Sequence, residues 1–84
     1  GGPSLSIIEF SDQITVFPNP TKDEITISVN NFKGNIKTEI YDLIGNKLLV
    51  TSETTISLND YAIGIYLIKV AYGDRIQEVK VIKQ

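Results

Sequence analysis

Glu24-Ile25-Thr26-Ile27-Ser28-Val29-Asn30 is the stretch that decides the fold. Ile25, Ile27 and Val29 fall on one face, and Thr26, Ser28 and Asn30 on the other. A period of two marks a half-buried strand, because successive side chains of an extended chain point to opposite sides. Upstream, Ile14-Thr15-Val16-Phe17 reads as a short strand stopped by Pro18. Downstream, Ile36–Leu43 places Ile36, Thr38 and Ile40 on one face. Lys47–Glu53 carries Leu48, Leu49 and Val50, and Thr55–Asn59 carries Ile56 and Leu58. Ile65–Tyr72 sets Tyr66, Ile68, Val70 and Tyr72 together. Arg75–Lys83 places Val79 and Val81 inward. Ile76 and Ile82 fall off that alternation, so a bulge or burial on both faces is expected there.

The links between these runs are turn chemistry. Gly45 in Asp42–Lys47 supplies a positive φ for a hairpin link. Gly73-Asp74 reads as a two-residue hairpin turn. Asn30–Asn35 is a longer loop of turn-forming residues. Asn59-Asp60-Tyr61-Ala62 reads as a single helical turn, and no segment has a sustained helical period. About seven short strands at this spacing define an all-β fold, a single antiparallel β-sandwich of immunoglobulin-like type. The cysteine pair and core tryptophan of antibody domains are missing, so the architecture is supported and that family is not.

Composition narrows the function. The 84 residues suffice for one small domain. Residues 1–13 read as a linker or N-terminal extension, with a short strand around Ile7–Phe10 as one option. Gly1–Ser4 is either an engineered scar or native linker. Residues 14–84 read as the sandwich. With no methionine at position 1, the chain is expected to be a fragment or a processed product. Its 8 basic and 10 acidic residues give a net charge of −2 with no basic cluster, which argues against nucleic acid and anionic membrane surfaces. No apolar run approaches the ~20 residues of a membrane helix. Without cysteine, the apolar core alone must hold the fold. Without histidine, the commonest zinc ligand and general base are both missing.

No catalytic constellation emerges. Ser-His and Cys-His arrangements require residues the chain lacks. Asp12, Asp23, Glu24, Asp42, Asp60 and Asp74 fall in or near turns without a D-x-D-x-D-G calcium run, and read as solvated turn carboxylates. Gly45 and Gly73 stand alone in hairpins and form no phosphate loop. The expectation is a non-catalytic domain without cofactor, metal or small-molecule substrate.

Three elements remain. Phe17-Pro18-Asn19-Pro20 fixes two φ angles, removes two donors and biases Phe17 and Asn19 towards extended conformations, giving a rigid turn out of the first strand. Gly64-Ile65-Tyr66 joins a glycine that permits a turn or close approach to a tyrosine expected to bury its ring and bond its hydroxyl. Val79-Lys80-Val81-Ile82-Lys83-Gln84 alternates apolar and basic residues. It reads either as an edge strand guarded by lysine or as a strand recognised by a partner, with strand addition as the physical route.

In this order, and with Ile40-Tyr41-Asp42 and Gly45-Asn46-Lys47 between them, these elements resemble the C-terminal sorting domain, type A, of type IX secretion cargo in Bacteroidota. The likeness runs from about Val16 to Gln84. Phe17 stands where the family often has tyrosine, keeping the ring and losing the hydroxyl. The resemblance implies recognition elements at Phe17, Pro18, Asn19, Pro20, Gly45, Gly64, Tyr66, Lys80, Val81, Ile82 and Lys83. It implies as partners an N-terminal cargo protein, the type IX translocon with its shuttle proteins, and a sortase-like cysteine peptidase. It implies passage through the periplasm to the cell surface or beyond, with this domain as substrate. Lysine-guarded edges suggest a monomer. The rival reading is an accessory glycan-binding or spacer module. A glycan platform needs a row of exposed rings, for which Tyr41 and Tyr61 are better placed than the inward Tyr66 and Tyr72, with Phe32 in a loop. A spacer should tolerate residues added after Gln84.

Overall fold

The computed structural model describes residues 13–84. Of the linker expected at residues 1–13, residues 1–12, including the option of a strand at Ile7–Phe10, lie outside the described residues. Seven strands follow one another: β1 Ile14–Phe17, β2 Glu24–Val29, β3 Ile36–Tyr41, β4 Lys47–Thr51, β5 Thr55–Ser57, β6 Gly64–Tyr72 and β7 Arg75–Lys83. They form a three-stranded sheet, β1-β2-β5, and a four-stranded sheet, β4-β3-β6-β7, with every neighbouring pair antiparallel. The fold is therefore the all-β antiparallel sandwich that the alternation predicted.

Several strands end earlier than the apolar runs do. Asn30, Asp42, Leu43 and Asn59 lie beyond the ladders. Turn hydrogen bonds take over there: Gly45 N donates to Asp42 O, and Tyr61 N to Leu58 O at 3.0 Å, which makes a hydrogen-bonded turn, and not the helical turn expected, at residues 59–62. Gly73 and Asp74 make the two-residue link, since Tyr72 still pairs with Arg75.

The core is the sum of the inward faces. Ile25 and Ile27 of β2 meet Ile40 of β3, Ile68 and Val70 of β6, and Val81 of β7, with Ile56 and Leu58 closing one side. Each such side chain contributes roughly 1.5–3 kcal/mol when fully removed from water. Tyr66 and Tyr72 are buried in the same layer. Phe32 stands edge-on to Tyr72 with ring centroids 5.5 Å apart. Thr38 also faces inward, and its hydroxyl and that of Tyr72 are buried without a hydrogen-bond partner among the described residues.

The bulge expected at Ile76 or Ile82 is absent. The β6–β7 register is unbroken from Gly64–Lys83 to Tyr72–Arg75. Ile76 and Ile82 simply point outward, 65% and 39% exposed. They broke the pattern because this sheet carries aliphatic side chains on its outer face as well. The irregularity lies instead between Ile40 and Tyr41, where β3 pairs with β4.

Candidate functional site

Pro18 has no N–H to continue the ladder, so β1 stops at Phe17. The chain then crosses to the free edge of β7. Asn19 completes the crossing with its side chain. Its Nδ2 donates to Lys80 O at 2.8 Å and its Oδ1 accepts from Ile82 N at 3.0 Å. The amide thus supplies one donor and one acceptor, as a neighbouring strand would. Past Pro20 the backbone resumes: Thr21 N donates to Ile82 O at 2.9 Å and Gln84 N donates to Thr21 O at 2.8 Å. Thr21 is 2% exposed, and its hydroxyl donates to Glu24 O while accepting from Asp23 N. Phe17, Pro18 and Pro20 remain exposed. Both prolines follow cis peptide bonds.

This geometry changes the view of the tail. β7 is an edge strand, yet its backbone from Lys80 to Gln84 is already paired by Asn19 and Thr21. Strand addition by a partner cannot use those groups without displacing that segment. The tail residues also divide by face. Val81 is fully buried. Lys83, expected as an edge guard, is turned inward and 8% exposed. Its Nζ donates to Leu58 O at 2.8 Å and Tyr61 O at 2.6 Å, tying the β5–β6 link to β7. A lysine at that register can reach two carbonyls of the turn, Leu58 O being shared with Tyr61 N, which offsets burial of its charge. Lys80 and Ile82, with the terminal Gln84, are the exposed residues of the tail.

Gly64 and Tyr66 lie beside this segment, since Gly64 pairs with Lys83 and Tyr66 with Val81. Gly64 has a φ of 157°, and a Cβ built on it would meet nothing within 4 Å. Its backbone angle, and not a close approach, is what calls for glycine. Tyr66 buries its ring and donates its hydroxyl to Ala62 O, four residues upstream. That contact is the tyrosine corner of immunoglobulin-like sandwiches.

Gly45 lies apart from this group, in the β3–β4 hairpin, with a φ of 105°. Asp42 organises the hairpin: its Oδ1 accepts from the N–H groups of Ile44, Gly45 and Asn46 at 2.9–3.0 Å, and its Oδ2 from Asn46 Nδ2. The Asn46 side chain, followed by these backbone donors, holds the Asp42 carboxyl below its ordinary value. The hairpin overhangs the outer face of the four-stranded sheet. There an open groove of about 270 Å³ is lined by Tyr41, Leu43, Ile44, Leu67, Lys69 and Glu78, with Asp42 and Gly45 at its hairpin wall.

Register gives the order on that face. One row reads Lys47, Tyr41, Leu67, Lys80, and the next Val50, Glu39, Lys69, Glu78, while Ile65 pairs with Ile82 beyond the first. Lys69 Nζ stands 5.2 Å from the Tyr41 ring centroid and Lys47 Nζ 6.0 Å. Glu39 takes a hydrogen bond from the Tyr41 hydroxyl and ion pairs from Lys47 and Lys37. The Tyr41 bond, then the two lysines, lower its pKa against the opposing effect of burial.

The rings do not form a glycan platform. Tyr41 faces out from β3, whereas Tyr61 is half-buried against Tyr66 with centroids 6.0 Å apart. Phe32 is engaged with Tyr72. No group of three or more metal-ligating side chains occurs among the described residues. Thr21 and the Leu43–Ile44–Leu67 groove were not singled out from sequence. Nothing in Pro20-Thr21-Lys22-Asp23 announces a buried threonine, and Leu67 reads as one more strand residue.

The family model for the secretion system C-terminal sorting domain matches residues 15–84. The chain belongs to this family, the sorting domains of type IX secretion. None of the curated proteins compared matches the chain.

Proposed function

We propose that this chain is a non-catalytic secretion signal that directs an attached cargo through the type IX translocon across the outer membrane. The observation that carries the reading is the family match over residues 15–84. In support, the motifs near the two ends of that span, Pro18–Thr21 and Lys80–Gln84, are stitched to one another. In this reading residues 14–84 are the sorting domain and residues 1–13 its linker. The domain crosses the periplasm folded, is recognised by the translocon and shuttle proteins, and reaches the cell surface. A sortase-like cysteine peptidase then cuts within or before the linker, with this domain as substrate. It acts as a monomer. Recognition engages Lys80 and Ile82 by their side chains, while Pro18, Asn19, Pro20, Gly64, Tyr66, Val81 and Lys83 hold that surface in shape.

The test is an export assay. Residues 1–84 are fused to the C-terminus of a fluorescent reporter that folds in the periplasm, in a bacterium with a working type IX system and in a strain lacking the translocon. Reporter outside the first strain and retained in the second supports the reading. Retention in both, with the domain shown to be folded, overturns it. Deleting Val81–Gln84 would be a poor probe, because Val81 and Lys83 are buried and their loss damages the fold itself.

A further inference from the structure

The groove on the outer face of the four-stranded sheet remains without a role. Its floor is apolar, made of the Tyr41 ring and Leu67, and continues into the Ile65–Ile82 pair. Leu43 and Ile44 overhang it at 61% and 87% exposure. Large aliphatic side chains collected on one exposed face commonly mark an interaction surface. The groove lining itself mixes Lys69 with Glu78 and Asp42. The wider face has a small basic excess: Lys37, Lys47, Lys69 and Lys80 face out from this sheet against Glu39 and Glu78, with Asp42 at the hairpin wall, in a chain whose net charge is −2.

The carboxylates here are already engaged. Asp42 holds its own hairpin, Glu39 is bonded to Tyr41 and paired with Lys47 and Lys37, and Glu78 lies 3.9 Å from Lys69. Lys80 has no ion-pair partner among the described residues. It sits directly across from Leu67. Meanwhile Asn19 and Thr21 occupy the adjoining backbone edge. A partner at this end must therefore bind through side chains on the face, and charge complementarity selects an acidic one.

We propose that this groove docks an extended acidic segment of a partner protein, one that alternates carboxylate and aliphatic side chains. The aliphatic groups would rest on Leu67, Ile65 and Ile82 beneath Ile44, and the carboxylates would meet Lys80, Lys69 and Lys47. The inference rests on the sorting reading, for which it names the contact surface.

Two measurements test it. In the first, the nitrogen-15 spectrum of the 84-residue protein is titrated with an acetylated peptide of alternating glutamate and leucine. Saturable shifts at the amides of Ile44, Leu67, Lys69 and Lys80 are expected. They should weaken with added salt and vanish in an Ile44→Asp/Lys80→Glu variant whose spectrum stays dispersed. Both substituted side chains are exposed, so the fold should survive. No saturable shift, shifts elsewhere, or equal binding of a lysine–leucine peptide would overturn the proposal. So would perturbation of these amides by phosphatidylglycerol vesicles but not by the peptide, or by concentration alone, since the occupant would then be a membrane surface or a second copy.

In the second, the same variant enters the export assay. Export about tenfold below the unsubstituted domain is expected, the scale on which complementary charge assists encounter. Unsubstituted domain exported and variant exported equally overturns the groove alone. Unsubstituted domain retained overturns the sorting reading and the inference with it.

Discussion

Asn19 and Ile82 are joined across 63 positions of sequence by a side chain that stands in for a strand. The Asn19 amide meets Ile82 N with its oxygen and Lys80 O with its nitrogen, so one residue satisfies two groups on the edge of β7. Prolines on both sides remove the two N–H groups that would otherwise compete for this placement. The result closes an edge that would otherwise be a template for pairing with another chain.

Asn19→Ala should therefore cost about 1–2 kcal/mol of stability, two hydrogen bonds at roughly 1 kcal/mol each. Urea unfolding measures the loss. The amide of Ile82 should also exchange with solvent faster than those of Tyr66 and Ile68 in the same variant. Asn19→Asp keeps the acceptor for Ile82 N but sets a carboxylate against Lys80 O, and should be no better than alanine. Unchanged stability and unchanged exchange at Ile82 would show that the amide bonds contribute nothing.

The two lysines of the tail should behave oppositely. Lys83→Met removes both bonds from Nζ, taking a donor from each of the Leu58 and Tyr61 carbonyls, of which Leu58 O keeps Tyr61 N. A loss of about 1–3 kcal/mol is expected. Lys80→Met should stay within about 0.5 kcal/mol, as exposed substitutions away from special contacts do. Equal losses for the two would contradict the inward and outward assignment.

Much of this fold was legible because burial repeats every second residue along β2, β3 and β6. Ile25, Ile40 and Ile68 could be placed inward from spacing alone. β7 was legible only in part. Val81 follows the rule, but Ile82 faces out and Lys83 faces in, each against its polarity. The reason is tertiary: the outer face carries a groove, and the β5–β6 turn leaves carbonyls at the level of Lys83. Asn19 illustrates the same limit. Pro-Asn-Pro announces a turn, but which strand the amide meets depends on how two sheets are stacked. Gly45 was read for its backbone angle, which local sequence does specify, whereas a turn and a close approach both stayed open for Gly64.

The core carries a removable defect. Thr38 Oγ1 is buried and has no hydrogen-bond partner among the described residues. Thr38→Val keeps the shape, removes the unsatisfied hydroxyl and should raise stability by about 1 kcal/mol. Tyr72→Phe should act in the same direction while keeping the ring against Phe32. A fall in the unfolding midpoint for both variants would mean that these hydroxyls are satisfied in solution.

Acid should weaken the outer face first. Glu39 is held below its ordinary 4.5 by the Tyr41 hydroxyl and then by Lys47 and Lys37, and Asp42 below its ordinary 3.8 by Asn46 and the hairpin N–H groups. A carboxyl with a lower pKa folded than unfolded binds more protons when unfolded. Its contribution is therefore complete above the unfolded value and disappears as pH falls through the folded one. Stability should be flat in this respect near neutrality and decline from just above pH 4.5 for Glu39, and from just above 3.8 for Asp42. Asp42→Asn should remove the Asp42 portion of the decline, and Glu39→Gln the remainder that Tyr41 and the lysines create. Thermal melts from pH 7 to pH 2.5 in both variants separate the two (the range is chosen to bracket the ordinary carboxylate values, about 4). If Asp42→Asn leaves the acid slope untouched, the hairpin carboxylate is not held by its turn in solution, and the wall it gives the groove is not fixed.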